Sequence, residues 1–141
     1  MGVKFVKVAG TYANGTNPTE ARAIVNNALQ FMKRFPDRSL GIVTMNQKQQ
    51  ELIEAEMNEA LARDSKASAY VNHWSTRKDG LEYFFIKNLE NVQGDERDAI
   101  FIGTVYGPAV LGQKVAQRFA EDGMYRHAGL ALSTVSLENG D

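Results

Sequence analysis

The sequence contains no cysteine, and its 141 residues include only two histidines and three prolines. Without cysteine the chain can form no disulfide framework, no thiol nucleophile and no zinc knuckle. The two histidines, His73 and His127, are far apart in the sequence and do not form the paired spacing of a histidine metal site. We therefore expect no metal centre built from this chain.

The sequence also lacks a long hydrophobic segment. No apolar run approaches the roughly 20 residues that a helix needs to cross a bilayer. The first ten residues, MGVKFVKVAG, contain no secretory signal. These absences predict a cytoplasmic protein that makes no contact with a membrane.

Positive charge is not in excess either, because the formal net charge is -1. A free-standing protein that binds nucleic acid mainly through electrostatics usually carries a basic excess. The balance therefore argues against that class, although it is compatible with one half of a larger binding surface. The proportions of apolar residues (43%) and charged residues (23%) are those of a soluble globular domain, and the length suits one domain with its own core.

Strands and helices alternate in the first half of the chain. Residues 3–8 alternate apolar and basic side chains and predict a half-exposed strand. After a turn at Asn14-Gly15, Asn17 is expected to cap a helix that has Pro18 at its first position. Residues 39–46 then predict a buried strand, and Asn46 is expected to cap a second helix.

The second half continues the same alternation less clearly. Residues 65–80 are polar and predict a surface loop that carries Trp74, whereas residues 81–89 and 98–107 predict two more strands. After residue 108 the pattern is weak, and one short helix at 113–120 is the only element predicted there. The order of strands and helices predicts an α/β fold with a mostly parallel sheet.

Two features indicate where a site could lie. Ligands of open parallel sheets bind at the carboxyl ends of the strands, and polar groups follow three predicted strands at residues 44–47, 87–88 and 104–107. Separately, four consecutive charged residues, 95–98, follow Gln93-Gly94 and run directly into an apolar strand. That segment is either a charged surface turn or part of a site.

Three segments resemble a known family in its order and spacing. NLENVQGDERDAIFIGTVYG (88–107) resembles motif V of superfamily 1 helicases of the nonsense-decay and replication-nuclease type: a Gln-Gly turn, a Glu, an Asp and a hydrophobic strand. SLGIVTMNQKQQELIEAEM (39–57) resembles their motif IV, and NGTNPTEARAIVNNAL (14–29) resembles the segment before it. The resemblance covers about residues 5–119 and is to the second RecA-like motor domain, called 2A.

The resemblance implies a three-layer RecA-like fold of the P-loop NTPase type. It implies that residues 1–120 form this domain and that residues 121–141 are a divergent tail. In the family, ATP and magnesium lie in the cleft between two such domains, and nucleic acid runs along them. The partners implied are therefore DNA or RNA, bound weakly by this chain alone, and a first RecA-like domain.

Two sets of binding residues also follow from the resemblance. The nucleotide would be contacted by Gln93, Gly94 and Glu96, with the Glu carboxylate accepting from a ribose hydroxyl or fixing a sensor arginine. The nucleic-acid backbone would be contacted by neutral donors, which position a strand without reading its sequence. These donors are Thr44, Asn46, Gln47 and Thr104.

The sequence departs from the family in ways that bear on catalysis. It contains no G-x-x-x-x-G-K-[ST] phosphate loop and no acidic magnesium pair in the expected context. The segment VAQRFAEDGMYRHAGLALSTVSLENGD (115–141) stands where the family has the arginine-rich motif VI. A truncation or a changed reading frame near residue 120 would explain this, and we expect the chain alone neither to hold ATP and magnesium tightly nor to hydrolyse ATP.

Two alternatives remain open at this point. One is a non-catalytic interaction module derived from a helicase domain, which docks onto another protein or onto a second copy of itself through apolar surface. An unrelated small α/β enzyme is the other, although no clear nucleophile, base or metal set supports it. Trp74 and the aromatic residues 83–85 could stack on bases, but such residues more often anchor a core or a loop.

Overall fold

The computed structural model describes residues 2–10, 14–76, 83–92, 97–103 and 125–136, with the backbone alone at 2–10 and 125–136. In chain order its elements are β1 (Gly2–Gly10), α1 (Pro18–Arg34), β2 (Leu40–Thr44), α2 (Gln47–Arg63), α3 (Ser65–Ser75), β3 (Phe85–Asn88), a 3-10 turn (Leu89–Asn91), β4 (Arg97–Gly103) and β5 (Tyr125–Ser136).

The five strands form one sheet in the order β1-β5-β4-β2-β3. Every pair of neighbours is parallel, so all five carboxyl ends lie at the same edge, which we call the carboxyl edge. The opposite edge is the amino edge. This arrangement confirms the α/β fold with a parallel sheet and the RecA-like class predicted from the sequence.

Helix α1 begins as the sequence predicts. Asn17 is the N-cap, its side chain accepts from the backbone N–H of Glu20, and Pro18 occupies the first turn. The turn before it has Asn14 and Gly15 in the left-handed region, at φ 55° and 86°, as the predicted Asn-Gly turn requires. The buried face of α1 includes Ala21, Ile24, Val25 and Met32, while Leu29 is partly buried; these positions recur at helical spacing in the sequence.

The segment at 65–80 differs from its prediction as a surface loop. Residues 65–75 form helix α3, Asp64 caps it by accepting from the N–H of Ala67, and Trp74 is only 2% exposed. The indole N–H of Trp74 donates to Pro36 O at 3.2 Å. Tyr70, one helical turn earlier, is buried as well. The aromatic rings therefore anchor α3 to the amino edge, and Trp74 is not available for base stacking.

The three helices pack against one another and against one face of the sheet. Leu40, Ile42, Ala99 and Phe101 belong to this core. Because successive residues of a strand point to opposite faces, Val43, Ile100 and Ile102 lie on the other face, and they too are fully buried. Both faces are covered, as a three-layer domain requires.

Strand β5 is the second difference from the sequence prediction, which placed no strand after residue 120. It lies between β1 and β4 and pairs with both over much of its length. Residues 125–136 therefore complete the sheet rather than standing apart from it. The helix predicted at 113–120 lies outside the described residues.

No helix among the described ranges is both long and apolar enough to cross a membrane.

Candidate nucleic-acid interface at the carboxyl edge

The carboxyl ends of three strands lie side by side. Thr44, the last residue of β2, pairs in register with Asn88 at the end of β3 and with Gly103 at the end of β4. This juxtaposition follows directly from parallel pairing. The sequence places polar groups after three strands. Two of these groups, at the ends of β2 and β3, therefore lie beside the end of β4. The third group follows β4 in the sequence.

The N-termini of α1 and α2 meet at the same edge and are joined through their caps. Asn46, the N-cap of α2, accepts from Gln49 N–H at 2.8 Å and donates to Gly15 O at 3.1 Å. Gln49 in turn bonds to both backbone groups of Asn17, the N-cap of α1. Its Oε1 accepts from Asn17 N–H at 2.8 Å and its Nε2 donates to Asn17 O at 3.0 Å.

The turn before α1 also packs against the first turn of α2. A Cβ added to Gly15 would lie 2.7 Å from Cδ of Lys48, so the aliphatic part of the lysine covers this glycine. Lys48 is exposed, and the first turn of α2 contains no acidic residue. A cation therefore stands at the positive end of the α2 dipole, where a positive charge is unfavourable unless an anion is near.

Behind these groups lies a set of fully buried polar side chains. Glu20 reaches from α1 to the end of β4, where its Oε1 lies so close to Gly103 that no Cβ would fit. The hydroxyl of Thr44 is buried and has no hydrogen-bond partner among the residues that the structure describes. Burying a polar group costs free energy unless the group is hydrogen-bonded. Buried polar side chains at this edge therefore indicate a site rather than ordinary core packing.

The structure places the sequence-predicted nucleic-acid contacts at different depths. Gln47 is exposed, and Thr44 is fully buried. Asn46 is half-buried, with its Oδ1 capping α2 and its Nδ2 donating to Gly15 O. Gln47 Nε2 lies 3.3 Å from Oε1 of Glu51 in a solvent-exposed contact. The remaining predicted residues, Thr104 and the nucleotide contacts Gln93, Gly94 and Glu96, lie outside the described residues.

Two of the four consecutive charged residues are described, and both lie at the amino edge. Asp98 pairs with Ser39 at the start of β2. Arg97 is 1% exposed, and its Nε donates to Tyr83 O at 2.9 Å. Its guanidinium lies 4.8 Å from the centre of the Phe85 ring. Both residues therefore fix the start of β4 and hold it against β2 and β3.

Sequence reasoning missed three residues of this edge as site components: Glu20, Lys48 and Gln49. Glu20 stands three residues after the cap Asn17, where a glutamate is typical of a capping box, and that pattern gives no sign that its side chain is fully buried. Gln49 is polar and stands in a glutamine-rich turn, QKQQ, so hydropathy gives no sign that its side chain is buried. Lys48 has a local signal, because it is a basic residue two positions after a predicted N-cap.

A cavity of about 460 Å³ lies elsewhere, between the end of α1 and α3. Its lining includes Met32, Lys33, Lys66 and Tyr70, and none of the predicted site residues borders it. Within the described ranges no cluster of three acidic or histidine residues is placed to hold a metal ion.

The parallel sheet and its carboxyl edge together define a RecA-like α/β domain, in which polar groups gather at the carboxyl ends of the strands. A model of the AAA domain family matches residues 6–122, and the chain belongs to that family.

The chain is also similar in sequence to parts of two mycoplasma proteins. Over 107 residues it is 36% identical to the uncharacterized ATP-dependent helicase MG140 homolog of Mycoplasma pneumoniae. It is 34% identical to the uncharacterized ATP-dependent helicase MG140 of Mycoplasma genitalium over the same length. These matches cover 73% of this chain and 9% of each relative. The chain therefore corresponds to a small, helicase-related part of those proteins.

A solved structure has the same fold. The C-terminal domain of a possible DNA helicase from Lactobacillus plantarum WCFS1 superimposes with a TM-score of 0.52 at 10% identity, over 95% of this chain and 76% of that one. At this identity the likeness shows the fold alone, and it supports the RecA-like assignment.

Proposed function

We propose that the chain is the second RecA-like domain, 2A, of a superfamily 1 helicase of the nonsense-decay and replication-nuclease type, working in the cytoplasm. The observation that carries the proposal is the convergence of two helix N-termini and the ends of β2, β3 and β4 at one polar edge. The sequence similarity to parts of ATP-dependent helicases supports the same assignment.

The carboxyl edge would contact the phosphates of DNA or RNA. Gln47 and Lys48 are the exposed side chains in the first turn of α2, where backbone N–H groups and the helix dipole favour an anion. A bound phosphate would also offset the unfavourable position of the Lys48 charge. In this proposal Asn46 and Thr44 act from behind, with Asn46 holding the turn that presents Gln47 and Lys48. Thr104 remains a predicted contact of the same kind.

The nucleotide contacts are predicted at Gln93, Gly94 and Glu96, with ATP and magnesium lying between this domain and a first RecA-like domain. The chain has no phosphate loop of its own, so that first domain would cradle the phosphates. A nucleotide pocket formed by this domain alone is therefore not expected. On the same reasoning, the chain by itself would not turn over ATP.

The experiment measures how the 141-residue chain binds fluorescein-labelled oligo(dT) and oligo(rU) of about 20 nucleotides at low salt by fluorescence anisotropy. We expect measurable binding whose affinity falls as salt rises, because phosphate contacts release counterions. Lys48→Ala should weaken binding and reduce the salt dependence by the equivalent of about one phosphate contact. Gln47→Ala should weaken binding without changing the salt slope.

Lys66→Ala is the matched control. Lys66 is also an exposed lysine at the second position of a helix, but it follows Asp64, which pairs with Lys33 at the far end of α1. It should leave the affinity unchanged. Absence of binding by the unaltered chain, or equal losses in Lys48→Ala and Lys66→Ala, would contradict the proposal and favour a protein-interaction module.

A further inference from the structure

The side-chain amide of Gln49 forms a clamp between the two helix N-termini. Both of its polar atoms bond to one residue, Asn17, across 32 positions of sequence, and both partners are fully buried. A single side chain thus satisfies a backbone donor and a backbone acceptor at once. This arrangement fixes the distance and the orientation between the turn before α1 and the first turn of α2.

The clamp belongs to a larger hydrogen-bond network between the two helix N-termini. Asn46 accepts from the N–H of Gln49 and donates to Gly15 O, while Asn17 accepts from the N–H of Glu20. Each N-cap therefore holds its own helix. The Asn46–Gly15 and Gln49–Asn17 contacts hold the two helices to each other, and the stem of Lys48 packs on the same turn at Gly15.

We infer that Gln49 is a positioning residue for phosphate binding, which sets the turn at residues 14–17 against Lys48 and so presents the carboxyl edge in a binding-ready form. This inference rests on the proposed function, because it concerns the same nucleic-acid surface. It extends the site to a residue that contacts no ligand. Preorganised contacts bind more tightly because less conformational entropy is lost on association.

Gln49→Met is the variant that removes the clamp while keeping the side-chain length. Asn17 O keeps its bond from Ala21 N–H, but the N–H of Asn17 loses its bond to Oε1 of residue 49. We expect the affinity for oligo(dT) to fall about fivefold, as the loss of one or two hydrogen bonds predicts. Hydrogen exchange at the amide of Asn17 should accelerate in the same variant.

Gln50→Met is the matched control. Gln50 is the next residue on α2, and its Oε1 accepts from Asn88 N–H at 3.0 Å. The control therefore removes a bond of the same kind at the same edge, but one that leads to β3 rather than to the turn before α1. We expect a similar fall in melting temperature with an unchanged affinity.

For Gln49→Glu the measurement is the pH dependence of oligo(dT) binding, which would not change if Gln49 only stabilised the fold. A neutral carboxyl has one donor and one acceptor, like an amide, so it can bond to both groups of Asn17. The ionised carboxylate can only accept, and it would face Asn17 O. Position 49 is fully buried, and burial disfavours the ionised form, so the pKa of this carboxyl should lie well above the ordinary glutamate value of about 4.3. We therefore expect this variant to bind oligo(dT) like the unaltered chain near pH 5.5 and several-fold more weakly by about pH 8.

The unaltered chain and Gln49→Met are measured over the same pH range, because Glu20 and Lys48 are charged or titratable groups near the clamp. Neither protein should show the pH dependence of Gln49→Glu. If the unaltered chain binds but Gln49→Met lowers only the melting temperature, the inference is overturned and the proposed function stands. If the unaltered chain does not bind at all, both are overturned.

Discussion

Ser39 and Asp98 are joined by two hydrogen bonds. The backbone N–H of Ser39 donates to Oδ2 of Asp98 at 2.8 Å, and the backbone N–H of Asp98 donates to Oγ of Ser39 at 2.9 Å. The pair joins the start of β2 to the start of β4, and Ala99 N–H adds a third bond to Ser39 O at 3.1 Å. Asp98, one of the four consecutive charged residues, therefore helps to fix the register of β4 against β2.

Removing this carboxylate should destabilise the domain. Ser39 is fully buried, so Asp98→Ala leaves its N–H without this acceptor, at a cost of about 1–3 kcal/mol in the free energy of unfolding. Asp98→Asn keeps an oxygen acceptor and should cost less. Urea denaturation measures both. Asp37→Ala, at an exposed aspartate just before β2, should stay within about 0.5 kcal/mol of the unaltered chain. An equal loss in Asp98→Ala and Asp37→Ala would refute the role of the pair.

Gly41 is predicted to tolerate no side chain. A Cβ at this position in β2 would penetrate the ring of Phe85 on β3, which is 4% exposed. Gly41→Ala should therefore lower the free energy of unfolding by about 1–3 kcal/mol through overpacking. Phe85→Leu in the same chain should recover part of that loss, giving a favourable coupling in a double-mutant cycle. Strictly additive losses would show that the ring does not set the constraint.

The helix N-caps show which features of the fold can be predicted from the sequence. Asn17 and Asn46 were predictable because an Asn before a Pro or a glutamine-rich run has a local signature, and each bonds within three residues of itself. Gln49 was not predictable, because its partner is 32 residues away. Its burial is decided by tertiary structure, which hydropathy does not record.

Helix α3 and strand β5 were missed for different reasons. Ala67, Tyr70 and Trp74 recur at helical spacing and Asp64 precedes them as a cap, so the signal for α3 was present but weaker than the polarity of the stretch. Strand β5 lies inside the sheet between two parallel neighbours. Strands of a parallel sheet need not alternate apolar and polar residues, and the segment of β5, YRHAGLALSTVS, carries only small and aliphatic residues at its centre.

Asp64 should titrate below its ordinary pKa of 3.8. The hydrogen bond from Lys33, whose Nζ lies 2.5 Å from Oδ2, is the main cause of the lowered pKa, and the N–H of Ala67 adds to it. A lowered pKa stabilises the fold above the unfolded value, and that contribution is lost as pH falls through the folded pKa. Stability should therefore decline in acid below about pH 4.

Lys33→Met tests this contribution. The pKa of Asp64, measured by nuclear magnetic resonance of its carboxyl carbon, should rise toward the ordinary value, and the acid decline in the free energy of unfolding should become shallower. Lys66→Met is the control, because Lys66 lies two residues past Asp64 without being its salt-bridge partner. If the control shifted the pKa of Asp64 as far as Lys33→Met does, the pair would not be the cause.

Tyr70 should resist ionisation. Its hydroxyl donates to Arg38 O at 2.5 Å; burial, and next the negative charge of Asp98, raise its pKa well above the ordinary 10.0. Since the raised pKa favours the neutral form, the stabilisation is complete below pH 10 and is lost as pH rises further. The ultraviolet absorbance of tyrosinate should therefore include a late step from Tyr70 that coincides with loss of helical circular dichroism. Tyr70→Phe should abolish that step, whereas Tyr83→Phe, at a ring 39% exposed, should keep it. A late step that survives in Tyr70→Phe would assign it to another tyrosine and contradict the buried bond to Arg38.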